Sequence, residues 1–455
     1  MTSECRGKLR SIFRRGMLLS LGLLSVAFLS ACTTIPVTLP GDATEFSGIS
    51  DLLARVESNA SNGANRAPLR ILIVHGIGTT STTAFDPFIA SLARRQGLVQ
   101  VVHGPEEKST PVSCTPTSVP SPSELVHTEP KLIGINGVPP SVQARLYTYD
   151  FAVSGTSQPI VLSVTYLYWA PLTEALKCNL YAHDENPPQW FASQAKNFID
   201  FYLGDAVLYA GRYRDDVMRP SVQAALCLVV DGRPSSDGKT CSGGDRRDPT
   251  VLISHSLGGF MLMDAINEEL YRGGSIPEEN VSTPAYKILQ DTRFIFMMAN
   301  QLALLDLSNL TTYPSTPSSS PQATSLVAHT ELSAAAHVTA RRFLTEWGKI
   351  QRKRNAAVMH GIGNAGDNTP GVAQLVAFTD PDDVLSWRVE QSDIGPDKVN
   401  LTNVYMPNGE FSIPGLVSDP VKAHTGYSDN PTVLDLMLCG MDNGKVGTCA
   451  QNVIP

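Results

Sequence analysis

Ten residues, Thr250-Val-Leu-Ile-Ser-His-Ser-Leu-Gly-Gly259, constrain this chain more than any other stretch. An aliphatic, β-branched run stops at a serine flanked by small residues, and an amphipathic run, Phe260 to Tyr271, begins at once. The pattern predicts a strand, a tight turn and a helix, with Ser256 at the apex of the turn. An apex serine sits at a strained backbone angle, so the residues two before and two after it must be small. Here they are Ser254 and Gly258, with serine standing where glycine is the commoner choice. A helix starting behind the turn aims free backbone N–H groups at the serine, which suits an oxyanion. A buried strand with a Gly-rich turn would read the same locally, so the case for chemistry rests on partners elsewhere in the chain.

The flanking sequence supplies a frame for such a turn. Leu69-Arg-Ile-Leu-Ile-Val-His75 reads as a buried strand, followed by a Gly/Thr-rich turn over 76–83 and a helix near Phe88–Arg95. Residues 103–143, rich in Pro, Ser and Thr with little periodicity, read as a long surface insertion of the kind that often forms lids or binding loops. Strands are expected at Ala144–Tyr149 and Ile160–Trp169, and a helix over Trp190–Val217 with Phe191, Phe198, Phe201 and Leu208 on one face. Beyond the serine come a strand at Phe294–Met298, an exposed Ser/Thr/Pro loop at 311–324 and a helix over Ala334–Arg354 with a basic C-terminal end. Strands follow near Ala356–Met359, at Gln374–Phe378 and at Val399–Tyr405, then a helix at Pro431–Leu438. This alternation predicts an α/β fold, a mostly parallel sheet with helices on both faces and loop insertions. No linker divides residues 69–440, which we read as one domain, with 32–68 as a tether and 441–455 as a tail. His75-Gly-Ile-Gly78 recurs as His360-Gly-Ile-Gly363, but the flanks differ and the recurrence is read as coincidence.

A serine nucleophile needs a base, and the base needs an acid to orient it. With this kind of turn the chain order is Ser, then acid, then His, each past the end of a later strand. Strand 374–378 runs into Thr379-Asp-Pro-Asp-Asp383. Counting four residues beyond Phe378 selects Asp382 as the acid, with Asp380 and Asp383 as alternatives in a segment that is also ordinary turn chemistry. Of nine histidines, His424 alone lies C-terminal to these aspartates, which makes it the expected base. His255, beside the serine, is read as packing. The oxyanion donors are expected to be the N–H of Leu257, just after the serine, and that of Ile77 or Gly78 in the His75-Gly-Ile-Gly78 turn, with Ile77 preferred.

The N-terminus reads as an export signal. Arg6, Lys8, Arg10, Arg14 and Arg15 precede a 13-residue apolar core, Met17–Leu29, too short to span a bilayer. Leu29-Ser-Ala-Cys32 resembles the lipobox of bacterial lipoproteins, which implies removal of residues 1–31, lipid on the Cys32 thiol and attachment to the membrane. Thr33, rather than aspartate, then points to the outer membrane. The first 31 residues carry five Lys/Arg and one acid, a net of +4, so the remainder of a chain of net −8 is more acidic still, at −12. That balance argues against nucleic acid as a partner and against adhesion to anionic lipid through the protein surface. Of the eight cysteines, Cys5 and Cys32 are accounted for by the signal. In an oxidising setting the other six are expected to pair as Cys227–Cys241 and Cys439–Cys449, each closing a polar loop, and by elimination as Cys114–Cys178. No C-x-x-C or His/Cys cluster suggests zinc, and no metal or organic cofactor is expected.

Taken in order, His75-Gly-x-Gly, Ser254-His-Ser-Leu-Gly-Gly259, Asp380-Pro-Asp-Asp383 and His424-Thr-Gly resemble the serine hydrolases of the α/β-hydrolase fold, esterase- or lipase-like, over about residues 69–440. The resemblance implies cleavage of an ester or lipid-like small molecule by an exported, lipid-anchored enzyme facing the periplasm. Two alternatives remain at this stage: an acyltransferase using the same nucleophile, and a catalytically idle envelope lipoprotein with a binding or assembly role.

Overall fold

The computed structural model describes residues 37–38, 43–61, 67–78, 80–105, 124–155, 159–182, 196, 199–274, 280–307, 338–359, 373–394, 399–408 and 420–449. Cys32, Cys114, the 311–324 loop, His360–Gly363 and the tail beyond residue 449 lie outside them. The strands are β1 (Val37–Thr38), β2 (Leu69–Val74), β3 (Leu98–Val101), β4 (Lys131–Leu132), β5 (Arg145–Val153), β6 (Leu162–Tyr168), β7 (Gly232–Pro234), β8 (Cys241–Gly243), β9 (Thr250–His255), β10 (Thr292–Met298), β11 (Ala373–Thr379), β12 (Val399–Tyr405), β13 (Met441–Asp442) and β14 (Lys445–Val446). Two pairs, β7–β8 and β13–β14, are small separate hairpins. The other ten strands form one sheet, ordered β1-β12-β11-β10-β9-β2-β6-β5-β3, with β4 beside β5.

From β6 through β2, β9, β10 and β11 to β12 every pairing is parallel. The pairings made by β1, β3, β4 and β5 are antiparallel. All residues of β2, β9 and β10 are buried, as a parallel sheet covered on both faces requires. Alternate side chains serve two cores. Leu72, Val74, Ile295, Met297, Leu375 and Ala377 face one, and Ile71, Ile73, Phe294, Phe296, Val376 and Phe378 face the other.

The helices, in chain order, are α1 (Ile49–Ser61), α2 (Asp86–Arg95), α3 (Pro171–Ala182), α4 (Gly204–Ala210), α5 (Arg219–Val229), α6 (Leu257–Leu270), α7 (Pro284–Asp291), α8 (Leu302–Asp306), α9 (Val338–Met359), α10 (Pro420–Thr425) and α11 (Pro431–Cys439). α5, α6, α7 and α9 cover the first face; α1, α2 and α11 cover the second.

The next strands in the chain after β2 lie on one side of it in the sheet, and those after β9 lie on the other side of that strand. The two connections therefore leave in opposite directions past the carboxyl ends of β2 and β9, the place in open parallel sheets where ligands bind. The six parallel strands deliver their C-terminal ends to this same edge.

Several expectations change. Residues 32–68 are not a bare tether. Phe46, Ile49, Leu52, Leu53 and Val56 are buried against the domain, and β1 joins the sheet through β12. The stretch after residue 440 is not all tail, since Met441 bridges Phe46 and β13–β14 caps this corner. The 103–143 insertion returns to the fold through β4, with Ile133 and Ile135 in the core. Residues 356–359, expected as a strand, are the last turn of α9. Of the face expected over Trp190–Val217, Phe191 and Phe198 lie outside the described residues and Leu208 is half-buried; among the described residues Phe201, Asp205 and Tyr209 are buried, an aspartate occupying what would ordinarily be an apolar position. The disulfides Cys227–Cys241 and Cys439–Cys449 are formed, with Cα separations of 5.6 and 4.9 Å. Cys178 is also disulfide-bonded.

Candidate active site

Ser256 ends β9 and opens α6, at φ 54° and ψ −130°. A non-glycine residue there costs on the order of 1–3 kcal/mol and persists only where its surroundings over-determine it. They do so here. The Ser256 N–H donates to the Met298 carbonyl at 2.8 Å, extending the β9–β10 pairing by one residue. Gly258 lies against the carbonyls of Val74 and His75, where a side chain would overlap the backbone at the end of β2. Gly259 packs beneath Ser254 and Met297. The small residues read from the sequence are thus spaces through which α6 reaches the sheet.

His424, from α10, places Nε2 2.9 Å from Ser256 Oγ. Its Nδ1 lies 3.0 Å from each carboxylate oxygen of Asp383. With the aspartate accepting, Nδ1 carries the proton and Nε2 is left to accept from the serine hydroxyl. Ser256 and His424 are each 1% exposed and Asp383 4%.

The carboxylate that meets His424 is Asp383, not the expected Asp382, and the turn explains why. Asp380 Oδ1 accepts the Asp382 N–H at 2.8 Å, Asp380 Oδ2 accepts the Asn408 N–H at 2.6 Å, and the Asp383 N–H returns to the Asp380 carbonyl at 3.0 Å. This winding brings Asp383 to the imidazole, while Asp382 stays half-buried. The third aspartate, Asp380, builds the turn; burial raises its carboxyl above the ordinary range, opposed by the two N–H groups it accepts. Asp383 is completed by the Leu385 N–H at 3.0 Å and the Tyr427 hydroxyl at 3.1 Å. Tyr427, fully buried, accepts the Asp380 N–H at 2.6 Å and so ties both ends of the turn to the segment carrying His424. Spacing alone did not mark Tyr427. Its one signal was an aromatic residue three beyond the histidine.

Two further histidines buttress His424 and the loop beside it. His255 is more than packing: its Nε2 donates to the His424 carbonyl at 2.8 Å, and its ring stands edge-on to that of His424 at 5.3 Å. Burial, with the neighbouring His424 second, lowers its pKa to about 4, so it is neutral near pH 7. His75 is lowered to about 3, chiefly by burial. Its Nδ1 donates to the Gly76 carbonyl at 2.8 Å, and Nε2 accepts N–H bonds from Trp169 at 3.0 Å and Ala170 at 3.2 Å. The ring stacks on Trp169 at 4.6 Å, and the indole N–H donates to the His75 carbonyl at 2.8 Å. His75 is a strut between the end of β2 and the start of α3.

The loop it supports passes directly over Ser256. A side-chain carbon on Gly76 would fall 2.5 Å from Ser256 Cβ and from His255 Nδ1. On this loop the Gly78 N–H is committed to Asp205 at 2.9 Å, which removes it as an oxyanion donor. The Ile77 and Leu257 N–H groups have no protein partner among the described residues. Among those residues no cluster of three or more His, Cys, Asp or Glu has the arrangement of a metal site. No protein-family model, curated protein or solved structure matches the chain.

Proposed function

We propose that this chain is a serine hydrolase of the α/β-hydrolase fold that cleaves carboxylic esters through an acyl-enzyme on Ser256. The observation that carries the reading is the unbroken hydrogen-bonded series from Ser256 Oγ through His424 to Asp383, with the serine at φ 54°. A histidine held by a carboxylate on one nitrogen and bonded to a strained serine on the other is the arrangement that activates a hydroxyl.

In the proposed reaction Ser256 Oγ attacks the ester carbonyl and its proton passes to His424 Nε2. Asp383 stays ionised and stabilises the imidazolium. The carbonyl oxygen, now negative, is held by the N–H groups of Leu257 and Ile77 in a site shielded from water, where such bonds are strong. Collapse of the tetrahedral species expels the alcohol, which takes the proton from His424. Water then attacks the acyl-enzyme by the same route in reverse, releasing the acid and restoring Ser256. The lipobox-like Leu29–Cys32 supports an exported enzyme held to the cell envelope by lipid on Cys32.

A fluorophosphonate probe tests the reading: the wild type is expected to be labelled, and Ser256→Ala to be unlabelled and to lose about 10⁴- to 10⁶-fold in turnover of p-nitrophenyl esters. A wild-type protein that is folded yet neither labelled nor active on a panel of acyl lengths would overturn it.

A further inference from the structure

Helices α3 and α4 bring a buried ion pair to the loop that crosses the nucleophile. Lys177 and Asp205 are 3% and 0% exposed, with Nζ 2.9 Å from the carboxylate. Both also hold the backbone of one residue. The Gly78 N–H donates to Asp205 Oδ2 at 2.9 Å, and the Gly78 carbonyl accepts from Lys177 Nζ at 3.2 Å. Gly78 lies at φ 103°, a conformation open to glycine, and the ring of Tyr202 covers it so closely that a side-chain carbon would stand 2.7 Å from Cε1. Lys177 reaches the Phe201 carbonyl as well, at 3.4 Å, within a single π-helical turn, Ile199–Leu203, that leads into α4.

Stability does not account for this pair. Taking two charges out of water costs several kcal/mol per ion, and apolar side chains of similar volume often serve as well or better. What an apolar pair cannot do is grip the N–H and the C=O of one glycine at the same time. The residue so gripped is one step beyond Ile77, two beyond the glycine that touches Ser256, and on the loop assigned an oxyanion donor.

We propose that the Lys177–Asp205 pair is a positioning device for the oxyanion hole, fixing Gly78 from both sides so that the Ile77 N–H is held toward the reacting carbonyl oxygen. The inference rests on the ester-hydrolase reading. It also explains why Gly78, with the more flexible backbone, is not the donor: its N–H is the handle by which the loop is held. A loop released from this grip shifts by fractions of an ångström, and misplacement of about 1 Å can cost around 100-fold in rate.

The test compares an ester with its thionoester, whose sulfur is a poor hydrogen-bond acceptor and so draws little help from the two N–H groups. The double variant Lys177→Met/Asp205→Leu, with circular dichroism and melting checked against wild type, is expected to lose about 10- to 100-fold in kcat on the ester at nearly constant KM. Turnover of the thionoester should change little, so the ester-to-thionoester ratio collapses. Lys177→Gln/Asp205→Asn keeps a donor and an acceptor at Gly78 without charge, and should hold ester kcat within about threefold of wild type. This second variant carries the test if the apolar pair does not fold. Equal slowing of both substrates, ester kcat within twofold of wild type in the apolar variant, or failure of the neutral polar pair to preserve turnover would each overturn the proposal. Absence of any Ser256-dependent turnover in the wild type would instead remove the hydrolase reading on which it stands.

Discussion

Three aspartates within four residues do three different things, and hydrogen bonding separates them. Asp383 accepts from His424 Nδ1, Leu385 N–H and Tyr427 Oη; Asp380 spends both oxygens on backbone N–H groups. Asp382 contributes its N–H to the turn. Asp383→Asn should therefore leave the fold intact but favour the wrong imidazole tautomer, lowering kcat roughly 10⁴-fold, whereas Asp382→Asn should stay within about threefold. Steady-state kinetics of the two purified variants decide it, and equal losses would reverse the assignment. The distinction was not legible in the sequence. A segment of the form Asp-Pro-Asp-Asp announces a turn with carboxylates, but which one points inward depends on how Asp380 folds the backbone back on itself. Ser256 and His424 were legible because small neighbours and chain order leave few choices.

Elements show the same division. The turn between β9 and α6 was readable because close approach of helix to strand demands small residues, and the two glycines meet backbone or side chains at contact distance. Helix α1 was not. Its apolar residues are buried in a core shared with α11, nearly 400 positions away, which local pattern cannot announce. Long-range docking of another kind joins α6 to α7. Glu269, near the end of α6, accepts the Ala285 N–H at 3.0 Å in the first turn of α7. Burial raises its carboxyl to about 7, against the helping N–H and the nearby Arg272. Its folded pKa lies above the unfolded one, so the stability it contributes is complete below about pH 4.3 and is lost as pH rises through 7. Glu269→Gln keeps an acceptor for Ala285 without acquiring charge. The variant should match wild type at pH 4 and exceed it by about 4 kcal/mol at most above pH 8, as read by denaturant unfolding at the two pH values. A gap that is constant with pH would show that Glu269 does not titrate in this way.

On the scale of the whole molecule, the parallel sheet and its two helical layers follow from alternating strand and helix patterns, and six strand ends converge on one edge. Local pattern could not announce Asp205, whose charge breaks the apolar period of its helix, nor the way Phe46 and Met441, almost 400 positions apart, close one corner of the fold. That corner sets a distance. Antiparallel pairing puts Val37 opposite Tyr405, at the carboxyl end of β12, so the chain enters the sheet on the same side as Ser256. Cys32 is five residues earlier, a reach of about 17 Å even when fully extended. A lipid on that thiol would act as a short leash, holding the nucleophile-bearing rim toward the bilayer instead of letting the domain tumble above it. Inserting about 20 flexible residues before Val37 should then slow hydrolysis of an ester embedded in the same vesicle while a water-soluble ester turns over unchanged. Under such a leash, the supply of substrate would be a matter of surface density rather than of concentration in the surrounding fluid.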